Sequence, residues 1–164
     1  MPILRPVFTK NYVVYLKLMP KIQQRFELPY YQTADILKQQ PIDNQIPRYA
    51  FIARISLPKF DALYEKVAAH EAQVNICRVA LGLKLFKQKN GAYPDALDKL
   101  APEFIENIPV DPFTGKALIY RKVEAGFILY SLGPNQQDDN GIPRPTGKKA
   151  AGTEPYDIVW KCER

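Results

Sequence analysis

One run of residues, from Lys59 to Lys89, constrains this chain more than any other. Phe60, Leu63, Val67, His70, Val74, Cys77, Leu81 and Leu85 recur there at steps of three and four, the spacing that lines one face of an α-helix. Lys66, Glu71, Gln73, Arg78, Lys84 and Lys87 fall between them, as an outer face requires. Asn90-Gly91 then supplies the left-handed stop expected just past a helix C-terminus. At about 1.5 Å per residue the helix is about 45 Å long. It is a spine whose apolar stripe, His70 included, is expected to be covered by other parts of the fold.

The flanking segments differ in character. Between residues 10 and 40 the pattern gives two short helices. Tyr12, Tyr15, Leu16 and Met19 share a face of the first, which Pro20 kinks or ends. Pro29 precedes the second, Tyr30–Gln39, which carries Ile36 and Leu37. Pro41 to Pro58 crosses the surface, although Tyr49–Leu57 is apolar enough to pack. After Gly91, Tyr93-Pro94-Asp95 opens a turn or short helix through Leu100, and Pro109 to Gly115 is a loop braced by two prolines. Leu118–Val123 and Phe127–Leu132 carry β-forming residues on either side of Glu124-Ala125-Gly126, a hairpin signal. A polar loop follows from Gly133 to Pro155, and Tyr156–Trp160 is a third strand. The expectation is an α+β fold in which a long helical spine carries a small three-stranded antiparallel sheet. A helical extension, residues 1–58, precedes the α+β domain at 59–164.

Charge and cysteine content narrow the function classes. Residues 1–90 hold 14 Lys and Arg against 6 Asp and Glu, whereas residues 91–164 hold 9 against 11. The cations are spread thinly, with no basic run longer than two, so they read as a solvated face and not as a nucleic-acid surface. Cys77 and Cys162 fit no zinc spacing. Either they pair between the helix and the C-terminal tail, or they are separate thiols. No apolar stretch has the ~20 residues of a membrane span, and no signal peptide opens the chain. The expectation is a fragment of a longer protein, with membrane attachment only through a missing N-terminal part.

Four further segments carry a resemblance: Asn90-Gly91-Ala92-Tyr93-Pro94, Ile108-Pro109-Val110-Asp111-Pro112-Phe113, Tyr130-Ser131-Leu132-Gly133, and Asp157-Ile158-Val159-Trp160. In this order and spacing, across Leu81 to Trp160, the chain resembles the C-terminal soluble domain of the major pseudopilin of type II secretion. It is also similar to bacterial secreted proteins of unknown role that carry this module at their C-terminus. The resemblance implies an extracytoplasmic location and a protein partner in an envelope or secretion assembly. The apolar helix that polymerises pseudopilins has no counterpart in residues 1–58.

The segment Gly133-Pro134-Asn135-Gln136-Gln137-Asp138-Asp139-Asn140-Gly141, with Asp157 at the last strand, is the most chemical-looking part of the chain. Adjacent carboxylates repel unless a cation or water separates them, and calcium takes six to eight oxygen ligands. The other reading is a solvated turn whose Asx side chains cap their own backbone. The resemblance implies the first, with calcium held by the Leu132 carbonyl and the side chains of Asn135, Asp138, Asp139 and Asp157. Asn135 stands where the family usually has aspartate, which implies a weaker site.

Other candidates carry less. His70, the only histidine, has Glu71 beside it but no nucleophile motif, so it reads as a packed core histidine. Asp111 accepts backbone N–H groups in its turn; a carboxylate pair with Glu103 or Glu106 has nothing to fix its separation. Gly147-Lys148-Lys149 lacks the preceding glycine of a phosphate loop. The chain is therefore expected to be a non-enzymatic structural or interaction module with a calcium-stabilised loop. The alternative is a carbohydrate- or peptide-binding domain, which an exposed tyrosine patch on the open sheet face would favour and buried tyrosines would oppose.

Overall fold

The computed structural model describes residues 5–57, 59–124, 126–143 and 156–163, and its elements make an α+β fold. Helix α1 (Arg5–Phe26) is followed by α2 (Tyr30–Gln39), α3 (Phe51–Ser56) and the long α4 (Phe60–Asn90). Strands β1 (Ile119–Val123), β2 (Gly126–Ser131) and β3 (Ile158–Glu163) then form one antiparallel sheet in the order β1-β2-β3. The chain divides into two compact units, one running to Val67 and the other from Ala68, so the division falls inside α4.

In the first unit α1 continues through Pro20 instead of ending there. Pro20 removes the N–H that would bond the Leu16 carbonyl, but both residues are exposed, and water can take that carbonyl. The face that α1 buries is Asn11, Val14, Leu18 and Ile22; Tyr12, Tyr15 and Leu16, expected to pack, are exposed. Val14, Leu18 and Ile22 meet Ile42, Ile46, Ala50 and Ala53. Buried Asn11 ties α1 to α3: its Oδ1 accepts the Ala53 N–H at 3.0 Å, and its Nδ2 donates to the Val7 carbonyl at 2.8 Å. Tyr64 closes the unit between the rings of Phe26 and Tyr30, its hydroxyl donating to the Leu28 carbonyl.

In the second unit Ile76, Val79, Ala80 and Leu83 of α4 pack against Leu97, Leu100, Ile105, Leu118, Phe127 and Leu129. Phe127 and Leu129 alternate with Ile128 and Tyr130 along β2, so the central strand sends its two faces to different neighbours. Gly82 makes the close approach on the helix side, since a Cβ there would sit 3.1 Å from Ile105 Cγ2. Gly91, at φ 81°, terminates α4 with its N–H on the Lys87 carbonyl at 2.8 Å, as the sequence predicts.

The covered face of α4 is not the expected one. Tyr64, Ala68, Ala72, Ile76, Val79, Ala80 and Leu83 are buried, whereas Leu63, Val67, Val74, Leu81 and Leu85 are 42–57% exposed. His70 is exposed as well, and Phe60 and Cys77 are half-buried. Alanine and glycine let neighbouring backbone come close, and a count of large apolar residues overlooks a face built from them.

Candidate functional site

The sheet and the Pro109–Gly115 loop position the acidic segment through Asp111. Its backbone N–H bonds the Lys116 carbonyl at 2.7 Å, and its carboxylate, 1% exposed, turns inward. One oxygen accepts the Phe113 N–H at 2.9 Å and the Ser131 hydroxyl at 2.8 Å; the other accepts the Leu132 N–H at 3.0 Å. The turn role read for Asp111 from sequence therefore holds, and it extends further. Through Ser131 and Leu132 this carboxylate fixes the end of β2, where the acidic loop leaves the sheet. Ser131 passes the order on, its Oγ accepting the Gly133 N–H at 3.2 Å.

From Gly133 the chain makes a close turn, with Gln136 N–H on the Gly133 carbonyl at 3.1 Å. Gly133, Gln136, Asn140 and Gly141 all adopt positive φ. At Gly141 a side chain is excluded twice over, by φ of 73° and by Ile128 Cγ2 standing 3.3 Å from where a Cβ would be. Gln136 reaches back to the Phe113 carbonyl at 2.8 Å, so the loop is pinned to the Asp111 turn at two places. Residues 144–155 of the Gly133–Pro155 loop, with Gly147-Lys148-Lys149, lie outside the described residues.

The five expected ligand residues fall in one neighbourhood but have different partners. Asp138 accepts the Tyr130 hydroxyl at 2.9 Å and the Asn140 N–H at 2.8 Å on one oxygen, and Arg121 Nη2 at 3.3 Å on the other. Burial, then the bond to Asp138, push the Tyr130 phenol up to about 12. Asp139 accepts the Asn135 amide at 2.7 Å, and Asn135 Oδ1 accepts the Gln137 N–H at 3.2 Å. Leu132 is half-buried, with its N–H on Asp111. Among the described residues no three His, Cys, Asp or Glu side chains converge on one point.

Asp157 differs from the rest. It is 1% exposed, and its backbone N–H bonds the Ile142 carbonyl at 2.8 Å while Pro143 bridges beside it. One carboxylate oxygen accepts the Gly141 N–H at 2.7 Å. Among the described residues the other, Oδ1, is buried with no hydrogen-bond partner. Burial raises the Asp157 carboxyl above its ordinary 3.8; the main-chain groups of Gly141 and Asp139 oppose this, and the negative charges of Asp139 and Asp138 add to it. A buried carboxylate oxygen without a donor, close to two more carboxylates, is costly as it stands.

Sequence reasoning placed Asp157 in this group but had no means of seeing that one of its oxygens is stranded. It missed Tyr130 and Arg121 as the groups that hold Asp138; their alternation in the paired strands was the available signal. His70, with Glu71 beside it but no nucleophile motif, is exposed instead of packed. The two cysteines are separate thiols, with Cys162 Sγ 3.6 Å from the Tyr93 hydroxyl. The chain matches no family model, no curated protein and no solved structure.

Proposed function

We propose that this chain is a non-enzymatic structural module that presents a rigid surface to a protein partner in an extracytoplasmic assembly, with calcium locking its acidic loop to β3. The stranded Asp157 Oδ1 carries the reading. Calcium favours carboxylate, amide and carbonyl oxygens, and Asp157, Asp139, Asn135 and the Leu132 carbonyl are oxygen donors of that kind in one loop region. Asp138 is a fifth, and it would join by exchanging its bond to Arg121 for the ion. When bound, the ion supplies charge compensation and a cross-link between the loop and the strand. The residues themselves order the segment that a long polar loop could not hold by apolar burial.

The tyrosines support this reading over sugar or peptide binding. On the sheet Tyr130 is fully buried and Tyr120 is half-buried with its hydroxyl on the Pro94 carbonyl at 2.7 Å. Tyr93 stacks edge-on against Phe127 in the core. The likeness to the pseudopilin soluble domain, carried by the Asn90–Pro94, Ile108–Phe113, Tyr130–Gly133 and Asp157–Trp160 segments, fits the same reading. The test is thermal unfolding of the chain in EDTA and in millimolar calcium. Calcium should raise the midpoint of the wild-type chain and leave Asp157→Ala unmoved; an equal response of both proteins, or none in the wild type, sinks the proposal.

A further inference from the structure

The acidic loop already meets a cation, and that cation belongs to the chain. Arg121 stands on β1 opposite Ile128, with its guanidinium 5.5 Å from the centre of the Tyr130 ring, a cation–π distance. Its Nη2 donates to Asp138 Oδ2 at 3.3 Å and reaches Asn140 Oδ1 at 3.5 Å. The oxygens of Asp138 are not equivalent. Oδ1 accepts the hydroxyl of the fully buried Tyr130 and the N–H of Asn140. A carboxylate oxygen has about two lone-pair sites, so these donors fill Oδ1. Oδ2 faces Arg121, in a pair whose side chains are 44% and 42% exposed. The oxygen of Asp138 that has room for a metal is therefore the one that Arg121 covers.

We propose that Arg121 is a tethered cation that competes with calcium for Asp138 Oδ2, and so sets the calcium concentration at which the loop locks to β3. The inference rests on the calcium reading and adds to it a residue outside the ligand set. Two carboxylate oxygens of the loop region stand in opposite conditions. Asp157 Oδ1 is buried with no donor among the described residues, whereas Asp138 Oδ2 is reached by solvent and held by an arginine. Without metal, the guanidinium offsets part of the negative charge that Asp138 and Asp139 bring to the loop. With Asp138 turned to a metal, that contact is lost, and a positive group stays nearby over the Tyr130 ring. The lost contact and the like charge both weaken binding. A half-exposed ion pair contributes little, equivalent to about 2–5-fold in affinity. That shifts the locking concentration without abolishing the site.

The experiment is calorimetric titration of calcium chloride into the metal-stripped full chain as wild type, Arg121→Gln and Arg121→Lys, with thermal unfolding of each in EDTA. Arg121→Gln should bind calcium about 2–5-fold more tightly than wild type. Arg121→Lys keeps the charge and should bind much as wild type does. In EDTA, Arg121→Gln should melt no higher than wild type, because it loses a favourable contact of the metal-free loop. Equal or weaker binding by Arg121→Gln overturns the competition and leaves the calcium reading in place. A gain that Arg121→Lys shares overturns it too, since the charge would then not be the cause, and so does a higher midpoint for Arg121→Gln in EDTA. Binding by none of the three chains removes the calcium reading, and the competition falls with it.

Discussion

Replacing Asp157 by Asn keeps an oxygen for the Gly141 N–H and removes the negative charge from a position 1% exposed. Without metal, the wild-type chain buries a carboxylate oxygen that has no donor among the described residues. An unsatisfied buried polar group costs about 1–3 kcal/mol, and more when charged. Taking about 1 kcal/mol as the gain for Asp157→Asn, a unit of this size should unfold about 4–8 °C higher in EDTA. Calcium reverses the order. At a concentration about 100 times its Kd it stabilises wild type by about 2.7 kcal/mol, and the variant not at all. Trp160, the only tryptophan, lies on β3 opposite Leu129, so its fluorescence follows the second unit alone. The signature is a crossing: the variant melts above wild type in EDTA and below it in calcium. A variant that melts lower in EDTA, beside a wild type indifferent to calcium, would refute the reasoning. Asp157 would then be a simple hydrogen-bond acceptor for Gly141.

Asp111→Ala should cost about 3 kcal/mol or more, because it removes the acceptor shared by the Phe113 N–H, the half-buried Leu132 N–H and the Ser131 hydroxyl; urea unfolding followed by Trp160 fluorescence measures it. Asn11→Ala leaves the Ala53 N–H unpaired and should destabilise the first unit by about 1–3 kcal/mol, read as faster hydrogen exchange at Ala53 with no change on β2. Asp61 is held above its ordinary 3.8, chiefly by burial. Its contribution to stability is therefore complete below that value and lost as pH rises through the raised one. The difference in unfolding free energy between wild type and Asp61→Asn should accordingly turn against wild type as pH rises, and a flat difference would remove this assignment.

The second unit was legible in the sequence because its signals are local. β-forming residues flank a glycine-bearing turn, and the strands appear as β1 and β2 within a residue or two of their expected ends. Asn90-Gly91 needed no tertiary knowledge either. The first unit was harder. A proline inside a helix reads as a stop, and only the exposure of Leu16 and Pro20 explains why α1 passes through it. At the acidic loop, sequence named the carboxylates but could not divide them. Asp138 goes to Tyr130 and Arg121 because the strand pairing brings Arg121 and Tyr130 to one face. Asp157 is stranded because Gly141, sixteen residues earlier, satisfies only one of its oxygens.

The two faces of α4 show why hydrophobic spacing alone chose the wrong one. Ala68, Ala72, Ile76 and Ala80 advance by four residues at each step, a row that lies along one ridge direction of a helix, and all are buried. The outer row advances by three and four in turn, a 3.5 repeat that drifts by about 20° per heptad on a straight helix. A single straight helix cannot present both rows to one globular core. The small residues belong to the core that the chain builds for itself, where Gly82 and its alanine neighbours admit close contact. The large residues of the outer row stay open to solvent. Mutating the buried row should therefore change unfolding without regard to concentration: Ala72→Leu overfills a site with 0% exposure and should cost about 1–3 kcal/mol. Changes in the exposed outer row should leave unfolding nearly unchanged. Equal, concentration-independent losses from Ala72→Leu and Leu81→Glu would show that the two faces do the same work, and the separation argued from their periods would fail.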